Sequence, residues 1–305
     1  MENQLLSMNK SNFIMFHYVK PKTENEFRYL NSVDLKDLEH FIDLNFKNII
    51  TFQELINLKN LKNTKKIILT FDDGLSDHFD YVFPLLKRKQ ISGIFFINPD
   101  FAINGLKQKT HKLHYLYGKY GWEEILKHSK SYINFEDFIS YEEISKKVYP
   151  LDLPEISLLK YLINFLFEEK KSNLVLSKIS QKLKIDFSKI RFFMSPKEIC
   201  LMSKSKMIIS YHTMSHKRIN QLNYNQLKND YINSTSFFKK NNIISTNYFS
   251  IPYGDQNSFT AENINQLKAI GYENVFTSEK TKIKSKILID RIDCAKVNLN
   301  STFIL

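Results

Sequence analysis

The sequence predicts an α/β fold in which parallel strands are joined by crossover helices, interrupted by a helical insertion over residues 101–190. Short apolar runs of strand length alternate with segments of helical periodicity on both sides of that insertion. From about residue 101 to 191 the strand signals fade and only helical spacing remains. Polar clusters at His17, Asp72-Asp73, His212/His216, Tyr253 and 290–293 each follow the C-terminal end of an apolar run. In a closed parallel barrel such ends share one face, where active sites are built.

Taken in order, residues 12–16 (NFIMF) make a short buried strand ending at His17-Tyr18. A His there reads either as a polar strand terminus or as a site residue. Residues 34–44 carry Leu35, Leu38, Phe41 and Ile42 at helical spacing, with Asp34 as the cap. Residues 47–50 are expected to be a strand, Thr51 a cap and 52–58 a short helix. The run 66–71 (KIILTF) suits one buried strand and stops at Asp72-Asp73-Gly74. Two adjacent carboxylates repel unless a cation, a metal or hydrogen-bond donors stabilise them. The plainer alternative is an Asp-Gly turn, one carboxylate capping a helix over 77–89, with Gly74 allowing the sharp turn. Residues 91–97 form the next strand.

Within the insertion, helical spacing marks 122–128, 141–147, 155–169 and 172–183, and Leu158, Leu159, Leu162, Ile163, Leu166 and Phe167 form one stripe. His111, His114, Tyr115 and Tyr117 read as satisfied polar groups or as lining for a site. Alternation resumes with a helix opening at Ser195-Pro196, a strand over 206–211, a helix over 224–240 and a strand over 247–251. A helix over 259–270, closed by Gly271, and short strands at 274–276 and 286–289 complete the chain. Segments 1–100 and 191–305 therefore build the α/β body.

Composition excludes several functions. At 305 residues and 43% hydrophobic content the chain buries a sizeable core. Its net charge of +12 comes from scattered lysines, with only five arginines among 44 basic residues, which is not the clustered pattern of a nucleic-acid groove. Attraction to anionic glycans or to a membrane face stays open. Cys200 and Cys294 read as free thiols in a reducing compartment. Residues 1–10 are polar and no window approaches 18 apolar residues, so neither a signal peptide nor a membrane span is expected. The expected location is the cytoplasm, with peripheral contact at the inner membrane face.

His212 and His216, spaced i, i+4, can aim two imidazoles at one point, and a nearby carboxylate completes three protein ligands with an open position. That donor set suits Zn2+, and also Ni2+, Co2+ or Fe2+.

At this point the residues resemble the polysaccharide deacetylases, the NodB-homology or carbohydrate esterase family 4 domain. Thr70-Phe71-Asp72-Asp73-Gly74 looks like its first motif, His212-Thr213-Met214-Ser215-His216 its second and Ile251-Pro252-Tyr253-Gly254 its third. The resemblance covers about 1–100 and 191–293, leaving the insertion unmatched, and implies a distorted (β/α)7-type barrel. It implies Asp73, His212 and His216 as ligands of a divalent metal, Asp72 as general base, and the Pro252-Tyr253 segment at the oxyanion. Two departures stand out. Ser250 occupies the position where the family usually has an Arg, for which Arg291 or Lys66 is a substitute, and no His follows His216 to act as acid. Phe16-His17-Tyr18 resembles the corresponding motif of circularly permuted members, which makes His17 the acid, with Asp290 or Asp293 as its partner. The implied activity is metal-dependent hydrolysis of an N-acetyl or N-formyl amide on an amino sugar, in a lipid-linked or nucleotide-linked precursor of surface polysaccharide. A glycan-binding module that kept the barrel without turnover is the alternative.

Overall fold

The computed structural model describes residues 12–22, 32–58, 61–104, 108–149 and 152–303, so the expectations for residues 1–10 lie outside it. Contacts divide the chain into two compact units, Met1–Pro21 with Ser32–Leu106 and Phe193–Leu305, and Lys22–Asn31 with Lys107–Phe192.

The first unit is built on a curled parallel sheet. Its strands are β1 (Phe13–Phe16), β4 (Ile68–Phe71), β5 (Gly93–Ile97), β6 (Ile208–Tyr211), β7 (Ser245–Ser250), β8 (Asn274–Phe276), β9 (Leu288–Ile289) and β10 (Ile292–Asp293). They lie in the order β10-β1-β4-β5-β6-β7-β8-β9, and a separate parallel pair joins β2 (Val19–Lys20) to β3 (Val33–Asp34). Only Asp290 and Arg291 separate β9 from β10, although these are the two edges of the sheet. Three residue steps span at most about 11 Å. The sheet must therefore curl until its edges nearly meet, and 288–293 is in effect one last strand, pairing first with β8 and then with β1. Seven strand positions result, as the barrel resemblance implies.

Period-two alternation sorts the side chains. Phe13, Ile68, Ile94, Phe96, Phe276 and Ile289 cluster together with the partly buried Ile208 and Tyr248, one or two residues from each position, and fill the interior. Their neighbours Ile14, Leu69, Phe71, Phe95, Ile209, Phe249, Val275 and Leu288 face the other way, into a second core that includes helical residues. Before the insertion those helices are α1 (Leu35–Asn45), α3 (Phe83–Lys89) and α4 (Pro99–Asn104), while α2 (Phe52–Asn57) adds Leu55 to the interior cluster instead. The second unit holds α5 (Lys109–Tyr120), α6 (Trp122–Ser129), α7 (Glu142–Val148), α8 (Pro154–Tyr161) and α9 (Glu169–Lys182). The first unit then continues with α10 (Pro196–Lys204), α11 (Tyr224–Lys240) and α12 (Ala261–Ile270). Asp34 caps α1 through Lys36 N, and Thr51 and Ser195 form capping boxes with Glu54 and Glu198.

Three expectations need correction. Residues 47–50 are not a strand: a 3-10 turn covers Phe46–Asn48 and only one bridge, Ile49 to Ile67, forms before the Thr51 capping box starts α2. The helix over 77–89 opens as a π-helix, His78–Val82, before α3. Pro84 has no N–H to give the preceding turn, and the wider turn accommodates this, with Phe83 N–H bonded to His78 O. The helix over 155–169 likewise ends in a π-turn, Leu162–Leu166, and stops at Phe167. Among the described residues, no helix is long and apolar enough to cross a membrane.

Candidate active site

The interior changes character toward the C-terminal ends of the strands. On β4, Ile68, Thr70 and Asp72 follow one another at period two; Tyr248 leads to Ser250 on β7, and Ile289 to Arg291 beyond β9. The apolar floor thus gives way to three polar groups that meet. Arg291 donates from Nη1 to Asp72 Oδ1 and from Nη2 to Asp72 Oδ2, both at 2.7 Å, and from Nη2 to Ser250 Oγ at 2.9 Å. Ser250 Oγ donates to Asp72 Oδ2 at 3.0 Å, and Arg291 Nε donates to Thr277 O at the end of β8. Burial pushes the Asp72 carboxyl up, but the Arg291 guanidinium, with His212 and His17 nearby, outweighs it and holds the group at about 2. Arg291 and Ser250 thus hold the Asp72 carboxylate together. Lys66 is excluded from that role, since its Nζ lies on Lys47 O and near Glu54.

Asp73 turns out of the strand with φ 75°, and its Oδ1 lies 3.3 Å from His212 Nε2 and 3.3 Å from His216 Nε2. All three residues are buried, and their donor atoms lie within 4.8 Å of one another. His212 Nδ1 meets Ser250 O at 2.8 Å, so that nitrogen carries the proton and Nε2 presents its lone pair to the cluster. His212 Nε2 is buried with no hydrogen-bond partner, as a ligand atom directed at a cation would be. One carboxylate and two imidazoles converging in this way fit a divalent metal.

The turn carrying the imidazoles is strained, with positive φ at Thr213 (57°) and His216 (57°). Neighbouring groups hold it there. Asn98, at the end of β5, donates from Nδ2 to His212 O and Thr213 O; Met214 N–H donates to Asp230 Oδ2, and Met214 O accepts from Asp100 N. Tyr253, also at positive φ (68°), packs edge-on against His216 at 4.7 Å, and the Arg218 guanidinium lies over its ring at 4.9 Å. Pro252 is buried beside it. Asn98 and Asp230 are absent from the sequence motifs; only the rule that strand ends share a face could have flagged Asn98.

His17 joins the group from the end of β1: its Nε2 is 4.0 Å from Asp73 Oδ2, and its side chain is 40% exposed where that of Asp73 is 6%. The expected carboxylate partners do not reach it. Asp290 accepts from Thr277 Oγ1 and Thr281 N, and Asp293 caps the turn at Ala295 N. Each is satisfied by its own loop, which is why neither turns toward the imidazole.

A family model described as polysaccharide deacetylase matches residues 59–150 and 168–275. The match runs into the helical segment that the motifs leave uncovered, and it includes neither His17 nor Arg291. Among solved structures, the fold resembles Streptococcus pyogenes deacetylase PplD in complex with acetate, at TM-score 0.54 and 12% identity, over 92% of this chain and 90% of that one. It also resembles IcaB from Ammonifex degensii (TM-score 0.52, 17% identity, 92% and 90% covered). A de-N-acetylase from Aggregatibacter actinomycetemcomitans is similar too (TM-score 0.52, 16% identity, 94% and 97% covered). No curated protein matches. Identities this low speak for the fold alone, but the family match extends over well more than half of the sequence and includes both the Asp72-Asp73 and the His212/His216 motifs: the chain belongs to the polysaccharide deacetylase family.

Proposed function

We propose that this chain is a metal-dependent amidohydrolase that removes an N-acetyl, or N-formyl, group from an amino sugar of a polysaccharide or glycan precursor. The observation that carries this reading is the buried Asp73-His212-His216 cluster set beside a carboxylate that Arg291 keeps ionised. A divalent cation there, Zn2+ by its donor set, with Ni2+, Co2+ or Fe2+ as alternatives, would supply Lewis acidity to a water and to the acyl carbonyl.

The chain's own groups would do the rest. Arg291 and Ser250 occupy three of the roughly four lone-pair sites of the Asp72 carboxylate, leaving one on Oδ1 to accept a proton from the attacking water. The backbone N–H of Tyr253, in a loop that Pro252 stiffens, is the donor assigned to the developing oxyanion. His17, on the open side of the cluster, gives its proton to the departing amine. An acid from the first strand of the chain supports the permuted form of the fold. The glycan-binding alternative drew on Ser250 and on the lack of a His after His216; Arg291 and His17 now supply both chemistries, which favours turnover.

Acetate release from N-acetylglucosamine oligomers tests this. The zinc-loaded protein should release acetate, while Asp73→Ala and His212→Ala should bind zinc weakly and lose at least about 100-fold in rate. Turnover that survives either substitution with metal present would overturn the assignment.

A further inference from the structure

Neither Asp290 nor Asp293 orients His17, yet the segment bearing it is tied down from the neighbouring strand end. His78 is fully buried, and its Nε2 lies 2.8 Å from the backbone carbonyl of His17. A carbonyl only accepts, so Nε2 carries the proton and His78 donates. The ring sits against Phe71 at 5.4 Å and Phe95 at 5.8 Å, and its Nδ1 is buried with no hydrogen-bond partner. Leaving that nitrogen unsatisfied carries a desolvation cost that an apolar side chain in this aromatic setting would avoid. The hydrogen bond is what the imidazole adds. Burial pulls His78 down to about 4, so near neutral pH the ring stays uncharged. The residue before it adds a second tie, with Asp77 Oδ1 2.8 Å from Lys20 Nζ. His78 also opens the π-helix His78–Val82, a conformation frequent at functional sites.

We propose that His78 is a positioning residue for the acid: its Nε2–H fixes the His17 backbone and thereby the point from which the His17 imidazole reaches the cluster. This rests on the reading of His17 as proton donor. The His78 ring packs on Phe71 and Phe95 and feels Asp73 only through the field of its charge, so its loss should leave metal binding intact.

Two substitutions separate the donor from the packing. His78→Leu removes the N–H, with His78→Phe as the substitute should the Leu variant fail to fold, and His78→Gln restores a donor at about the same reach. On the zinc-loaded protein, kcat for acetate release should fall ten- to a hundredfold without the donor, with KM and zinc affinity unchanged, and recover to within about threefold in the Gln variant. The 15N amide resonances of His17 and Tyr18 should shift without the donor and return toward wild type with Gln. Unmoved resonances in the Leu or Phe variant, or a Gln variant as slow as Leu, would overturn the proposal. Wild-type protein that released no acetate would instead overturn the proposed reaction, and the amide comparison would still decide whether His78 holds the His17 backbone.

Discussion

Arg291→Met strands a buried charge, and the cost can be worked out from the site. The substitution removes five hydrogen bonds: two to Asp72, one to Ser250 Oγ, one to Thr70 Oγ1 and one to Thr277 O. Both side chains of the ion pair are inaccessible, 0% exposed for Arg291 and 3% for Asp72, so water does not replace the guanidinium. Breaking a buried pair from one side costs about 3–5 kcal/mol. Ser250 still donates to Asp72, which places the expected loss at about 4 kcal/mol, or a fall of roughly 6 °C in melting temperature for a chain of this size. Urea unfolding of the chelated protein is the assay, because bound metal would add its own stabilisation. Adding Asp72→Asn should recover more than half of the loss, since the penalty lies in the unpaired charge rather than in missing packing. A loss below about 1 kcal/mol in the single variant, or a double variant less stable than the single one, would refute the argument.

Two more outcomes follow from the same geometry. Burial raises Asp230 to about 6 from an ordinary 3.8, against the opposing hydrogen bond from Met214 N, with Asp100 adding to the rise. A raised carboxyl favours folding fully below the unfolded value and loses that contribution as pH rises through about 6. Asp230→Asn, which keeps an acceptor for Met214, should match wild type at pH near 4 and exceed it by about 2–3 kcal/mol above pH 7, the worth of a shift of roughly two units. A stability difference that does not vary with pH in urea titrations would count against it. Gly254 has φ +60°, and a Cβ there would meet Ser278 N at 2.5 Å, so Gly254→Ala should cost at least about 2 kcal/mol by thermal melting and displace Tyr253. Wild-type stability in that variant would show that the loop can yield.

The sequence exposed the fold wherever an apolar run was long enough to announce a strand. β1, β4, β5, β6, β7 and β8 all come from such runs, but the two-residue β10 offers no pattern of its own and exists because β1 needs a partner. The Asp pair and the His pair were legible because each packs two ionisable groups into a few residues. Arg291 stood out less, being 219 residues from Asp72 in sequence, though period two from the apolar Ile289 would have aimed it inward. His78 was not legible, and Asn98 only through its place at a strand end. An Asn after a strand and a His on an apolar helix face look the same in sequence whether or not they hold up a catalytic backbone. Asp290 and Asp293 show the converse, carboxylates well placed in sequence whose loops already use them.

Both departures from the family's pattern are of one physical kind. A curled parallel sheet brings every strand end to the same rim, so a guanidinium or an imidazole can arrive from any of them provided its reach and direction suit. Ser250 on β7 surrenders the cation but keeps a hydroxyl on Asp72, and the cation enters from the step between β9 and β10, where the last strand leaves β8 for β1. At that step Arg291 is anchored to Thr277 at one end and spans to Asp72 at the other, so it also ties the end of β8 to the end of β4 across the seam of the sheet. β1 fills the remaining side of that seam, and the residue that follows it is His17. The base and the acid of the proposed reaction are thus both set by the strands that close the sheet, and a change that loosens the seam should disturb both before it reaches the two imidazoles beyond β6.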